Sequence, residues 1–186
     1  VKKSLMIVDM PFNTYKNKSQ ALKNCRKVMK ETKCDGIKLE GGRNINEIVK
    51  HLIKHKIPVM GHIGITPQSV RGKFRYKGKS DIEKKNLLKD SKSLEDAGVF
   101  AIVLECVERI TSKEITESIK IPTIGIGSSN FCDGQILVTD DLLGLTDTKI
   151  KFVKKYADLK SNMRKAVKKF KLDVKKGSYP SIKYSY

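Results

Sequence analysis

Short apolar runs alternate with longer amphipathic segments along most of this chain, and that alternation limits its fold more than any single motif does. Six runs recur: Ser4 to Asp9 (SLMIVD), Gly36 to Gly41 (GIKLEG), Pro58 to Gly64 (PVMGHIG), Phe100 to Cys106 (FAIVLEC), Pro122 to Gly127 (PTIGIG) and Gln135 to Asp141 (QILVTDD). Each has the length and the bounding residues of a buried strand. Between them Lys18 to Glu31, Asn44 to His55, Asp81 to Ala97 and Thr111 to Ile119 carry apolar residues at three-to-four spacing, as in Ile45, Ile48, Val49 and Leu52. That spacing predicts helices. Strand and helix in strict alternation predict parallel βαβ units, and near-continuous apolar strands predict a sheet covered on its faces.

A final segment, Ile150 to Lys176, reads as one long helix with Phe152, Val153, Tyr156, Met163, Val167 and Phe170 as its apolar stripe. Twelve basic residues fall between Lys149 and Lys176. The stripe predicts a packed terminal helix with a solvated basic face, and Gly177 to Tyr186 predicts a loop. At 186 residues, 39% hydrophobic and 32% charged, residues 1–186 are expected to form one domain with a sizeable core.

The formal charge of +19 raises nucleic acid as a partner, but the basic residues are 33 Lys and only 6 Arg. Bidentate reading of phosphate or guanine favours the Arg fork, so a Lys-rich surface is the expectation and nucleic-acid binding is not. Cys25, Cys34, Cys106 and Cys132 have no Cys-x-x-Cys or zinc-finger spacing, which predicts free, mostly buried thiols in a reducing cytoplasm. The apolar stretch before Asp9 is too short for a signal-peptide core or a membrane span. The chain opens almost directly into a strand without an initiating Met, which suggests that an N-terminal portion is missing.

Polar residues gather at one place in each unit. Asp9 closes the first run, Lys38 and Glu40 the second, His62 lies in the third, Glu105 ends the fourth, and Gly127-Ser128-Ser129 follows the fifth. With a period of two, Lys38 and Glu40 share one face of their strand while Ile37 and Leu39 share the other. Each residue has a plain structural reading: Asp9 begins a turn, Glu40 pairs with Lys38, His62 is a satisfied core histidine. Convergence on five successive strand ends instead favours a site of the kind built at the C-terminal face of (β/α) barrels. Glu105 shares a face with Ala101 and Val103, and burial there would raise its carboxyl toward a useful general base. Asp9 and Glu40 are hard oxygen donors suited to Mg²⁺.

The segments SLMIVDMPF, DGIKLEGG, VMGHIGITPQSV, GKFRYKGK, AIVLECV, IPTIGIG followed by CDGQILV, DLLGL, FVKKYADL and DVKKGSYP resemble the ketopantoate hydroxymethyltransferase family, in order, from about Leu5 to Pro180. The resemblance implies an α/β fold, a (β/α)8 TIM barrel that here lacks its first two βα units, the second of which carries a Gly-Asp-Ser motif with a third metal-binding carboxylate. It implies transfer of a hydroxymethyl group from 5,10-methylenetetrahydrofolate to 3-methyl-2-oxobutanoate, giving 2-dehydropantoate in pantothenate biosynthesis through a Mg²⁺-stabilised enolate. It further implies Asp9 and Glu40 as metal ligands, Lys38 and His62 as substrate contacts, Glu105 as the base that takes the C3 proton, and a cytoplasmic homo-oligomer. Ser128-Ser129 departs from the family's usual Ala-Gly, which bears on how closely a ligand approaches that backbone. Two other readings stand beside this one: a Mg²⁺-dependent barrel lyase or mutase acting on a small 2-oxo acid, and an inactive basic fragment that binds nucleic acid or a partner.

Overall fold

Parallel pairing joins six strands in chain order: β1 (Ile7–Asp9), β2 (Gly36–Glu40), β3 (Val59–Gly64), β4 (Ala101–Glu105), β5 (Thr123–Ile126) and β6 (Gly134–Gln135). The computed structural model describes residues 3–69, 75–147 and 149–186. Val70 and the first three residues of the GKFRYKGK motif therefore lie outside the described residues. Consecutive strand order without reversal is the arrangement of a (β/α) barrel and differs from the switched order of doubly wound sheets. The chain is thus an α/β fold whose sheet is a six-strand parallel half-barrel.

Helices α1 (Lys18–Thr32), α2 (Asn46–Lys54), α3 (Asp81–Ala97) and α4 (Arg109–Ser118) fill the crossovers. Their ends follow the sequence chemistry. Asn17 and Ser80 accept the backbone N–H of Gln20 and Glu83 as N-caps, and α3 stops where Gly98 turns left-handed at φ 95°. One face of the sheet, Ile37, Leu39, Val59, Ile63, Ile102 and Leu104, is sealed against Val49, Leu52, Leu87, Leu94 and Ile115. Each such side chain contributes about 1.5–3 kcal/mol on burial. Gly61 permits close packing of α3 on β3, since a Cβ there would stand 2.9 Å from Leu94 Cδ1.

The chain clusters into two compact units, Val1–Ile136 and Leu137–Tyr186. In the second, α5 (Thr139–Leu142) and α6 (Leu159–Lys175) are the helices. The sixth apolar run is only in small part a strand: Ile136 N–H makes a bond to Gly125 O, and the Thr-Asp-Asp that follows opens α5. The last helix begins at Leu159 rather than Ile150. Tyr156 N–H and Leu159 N–H donate to Leu142 O and Leu143 O, so they are not available to a helix starting upstream, and Asp158 caps α6 through Ser161 N–H. No residue of α6 is buried, so its expected packed stripe of Met163, Val167 and Phe170 is exposed. The tail includes a 3₁₀ turn at Ile182–Tyr184 where a loop was expected.

All four cysteines are free, and Cys25, Cys34 and Cys132 are buried. Burial pushes the Cys25 thiol up to about 12, which makes it a poor nucleophile and metal ligand. Among the described residues no helix is long and apolar enough to cross a membrane.

Candidate active site

The inner face of the sheet carries the five sequence-predicted residues. Register places Asp9 beside Lys38, Glu40 beside His62, and Gly64 beside Glu105. Directly paired residues in neighbouring strands share a face, so Asp9, Lys38, Glu40, His62 and Glu105 all project to the same side, at or next to the C-terminal strand ends. Gly64 is required where it stands: its φ is +102°, and a Cβ would fall 2.2 Å from Glu105 O.

The side chains form a connected series. Lys38 Nζ is 2.9 Å from Asp9 Oδ2 and 2.9 Å from His62 Nδ1, and His62 Nε2 is 3.2 Å from Glu105 Oε2. Glu40 Oε1 lies 3.8 Å from His62 Nδ1, and Glu40 Oε2 accepts the backbone N–H of Gln68 at 3.2 Å. The strand-end ion pair of Lys38 is therefore made with Asp9, not with Glu40. An ammonium only donates, so His62 Nδ1 must accept from it, and the neutral ring then carries its hydrogen on Nε2, facing Glu105. That contact is close but poorly directed: Nε2 is fully buried and makes no well-formed hydrogen bond. His62 is thus not a satisfied core histidine. A buried donor left without a well-formed bond costs about 1–3 kcal/mol.

Burial differs sharply among the acids. The Glu40 side chain is 4% exposed, Glu105 20% and Asp9 45%. Desolvation pushes the Glu40 carboxyl above its ordinary value against the pull of His62, Gln68 N–H and Lys38, with the Asp9 charge adding to the rise. A divalent cation held by these carboxylates would favour their charged forms. Among the described residues no cluster of three or more His, Cys, Asp or Glu has the arrangement of a metal site. Two carboxylates fit Mg²⁺, which keeps water or substrate oxygens in its other positions, better than they fit Zn²⁺.

Tyr15 and the contacts made by Ser128 escaped the sequence reading. Tyr15, in the loop after β1, accepts Glu40 N–H at 3.3 Å and donates to Glu40 O at 3.4 Å, covering the edge of β2 beyond the end of β1. An aromatic residue in a polar loop at a strand's C-terminal end was the available signal. Ser128 Oγ donates to Leu104 O at 2.6 Å and accepts Val107 N–H at 3.0 Å, bridging the turn whose central residues are Glu105 and Cys106. Cys106 is left-handed there, with φ 50°. Ser128 thus holds the protein's own backbone at the Glu105 turn. A cavity of about 540 Å³ adjoins the network at Glu40, lined in part by Phe12, Tyr15, Asn44, Leu87 and Asp90.

A family model described as ketopantoate hydroxymethyltransferase matches residues 1–182. The chain is similar to 3-methyl-2-oxobutanoate hydroxymethyltransferase of Pelagibacter ubique (strain HTCC1062), 58% identical over all of this chain and 72% of the relative. The enzyme of the same name from Clostridium botulinum (strain Alaska E43 / Type E3) is 48% identical over all of this chain and 69% of its own length. Among solved structures, a chain of the Amycolatopsis orientalis BexX/CysO complex aligns with a TM-score of 0.50 at 15% identity, over 95% of this chain and 70% of that one. At that identity the likeness concerns the fold alone. On the family match and the two relatives, the chain belongs to the ketopantoate hydroxymethyltransferase family and is a transferase.

Proposed function

We propose that this chain transfers a hydroxymethyl group from 5,10-methylenetetrahydrofolate to 3-methyl-2-oxobutanoate, giving 2-dehydropantoate for pantothenate biosynthesis. The observation that carries the reading is the series Asp9–Lys38–His62–Glu105, with Glu40 beside it, on one face of the half-barrel. Acid, base and cation are separated there as proton abstraction beside a carbonyl requires. The full eight-strand barrel, with a third carboxylate on a strand ahead of β1, and a cytoplasmic homo-oligomer are part of the same reading.

Asp9 and Glu40 would hold Mg²⁺, which when bound supplies positive charge for the substrate's carboxylate and keto oxygens. Glu105 removes the C3 proton, and the Lys38 ammonium offsets the negative charge that develops on the keto oxygen. His62 is the second substrate contact of this reading, beside Lys38. The C3 carbanion forms a bond to the one-carbon unit as both C–N bonds to that unit break. Water supplies the hydroxyl oxygen, its two hydrogens end on the carrier's nitrogens, and the proton taken by Glu105 ends on the new hydroxyl.

The test is hydrogen–deuterium exchange at C3 of 3-methyl-2-oxobutanoate in deuterated water with Mg²⁺, followed by NMR. Glu105→Gln is expected to slow exchange by about 100- to 10,000-fold, the span of general-base catalysis. Exchange at the unsubstituted rate in that variant would remove Glu105 from the role.

A further inference from the structure

The edge of β2 that faces β1 runs out of strand partner before it reaches Glu40. Register between the two strands ends with Asp9 beside Lys38, and Met10 N–H donates to Lys38 O at 3.0 Å. Pro11 follows, with no N–H to give, and the chain turns away as Thr14 N–H donates to Pro11 O. In a parallel ladder alternate residues turn their N–H and C=O to the same neighbour, so Glu40 presents both groups on the edge that Lys38 uses. The Tyr15 hydroxyl takes them together, accepting Glu40 N–H at 3.3 Å and donating to Glu40 O at 3.4 Å. One phenol thus stands where a further residue of β1 would have paired.

That phenol is anchored without help from Glu40. Its ring packs against the hydrophobic core, and the loop that carries it is tied to α1. Asn24 Nδ2 donates to Thr14 O at 2.7 Å, and Gln20 Nε2 donates to Asn13 O at 3.1 Å. The other holds on this strand end come from β3 and the loop after it: Gly41 N–H donates to His62 O at 3.0 Å, and Gln68 N–H donates to the Glu40 carboxylate at 3.2 Å. Among the described residues, the Tyr15 hydroxyl is the group that joins the Glu40 main chain to the loop continuing from Asp9.

We infer that Tyr15 is a positioning residue for the proposed Mg²⁺ site, and that its hydroxyl fixes the Glu40 end of β2 against the Asp9 end of β1. It acts through the Glu40 backbone and so sets how the two carboxylates stand to one cation. Such spacing matters for Mg²⁺, which demands near-ideal octahedral geometry. The inference rests on the proposed reading of Asp9 and Glu40 as metal ligands and adds to it the group that spaces them.

The experiment compares the full chain with Tyr15→Phe, which removes one oxygen and keeps the ring. Without metal, amide hydrogen exchange followed by NMR is expected to quicken about tenfold at Glu40 N–H, and to stay within about twofold at Gly41 N–H, whose partner is on β3. By calorimetry the variant is expected to bind Mg²⁺ about tenfold more weakly at unchanged stoichiometry. A purely structural Tyr15 would quicken both amides alike, or lower the stoichiometry at unchanged affinity. Either result would overturn the assignment, as would an unchanged Glu40 amide or a released Glu40 amide with unchanged Mg²⁺ affinity. No Mg²⁺ binding by the unsubstituted chain would defeat the metal reading and the assignment with it, and the metal-free amide measurement separates that case from a Tyr15 that does not hold Glu40.

Discussion

Glu40 is kept in its buried place at an energetic cost. A carboxyl whose folded value lies above its unfolded one binds more protons in the native state over the intervening pH range, so stability falls as pH rises through that window. The window opens near the ordinary Glu value of about 4.3 and extends upward. Glu40→Gln keeps an oxygen for Gln68 N–H and removes the charge. The variant is expected to unfold at a temperature equal to or above that of the unsubstituted protein at pH 7, and to show a flatter dependence of stability between about pH 5 and pH 7. Mg²⁺-dependent exchange should fall in the same variant. Thermal melts across pH, read beside the exchange rate, check both halves. A loss of stability at neutral pH would mean that Glu40 contributes more through its contacts than it costs through burial.

At the scale of elements, the turn from β4 toward α4 is closed by a side chain from beyond β5. A β-turn commonly closes with a bond from its first carbonyl to its fourth N–H, and here the Ser128 hydroxyl stands between them. Ser128→Ala removes that bridge from Leu104 O and Val107 N–H and is expected to cost about 1–2 kcal/mol by urea unfolding, with Ser128→Thr recovering most of it. Bridges of this kind leave little trace in a sequence, because Ser128 and Leu104 are joined by no periodicity. The strands and most helices were legible for the opposite reason. Lys38 and Glu40 must face away from Ile37 and Leu39 in any extended chain, and parallel register then carries Asp9, His62 and Glu105 to the same side. The failures are equally physical. Gln135 to Asp141 has a strand's composition, yet its Thr-Asp-Asp is also a helix start, and the stretch from Ile150 lost its helix to backbone bonds made with Leu142 and Leu143.

At the scale of the whole molecule, charge is the dominant feature. A net +19 repels itself, since 39 basic side chains face only 20 acidic ones. Among the described residues several ion pairs join two exposed side chains, as Lys18–Glu47, Lys27–Glu31, Lys50–Glu47 and Lys113–Glu117 do, and contribute about 0–1 kcal/mol each. Screening should therefore help: raising NaCl from about 0.1 M to about 1 M shortens the Debye length from about 10 Å to about 3 Å. The melting temperature, followed by scanning fluorimetry, is expected to rise over that range. A fall would show that the ion pairs outweigh the repulsion.

Strand order has a consequence in time as well as in space. The strands pair in the order in which a ribosome releases them, and of the five residues their tips deliver Asp9 first, then Lys38 and Glu40, then His62, and Glu105 last. Each strand lies on the edge left by the one before it, so the order of the site residues along the sheet is also their order in synthesis. Glu105 thus emerges last of the five, on the strand against which β5 and then β6 are still to pair.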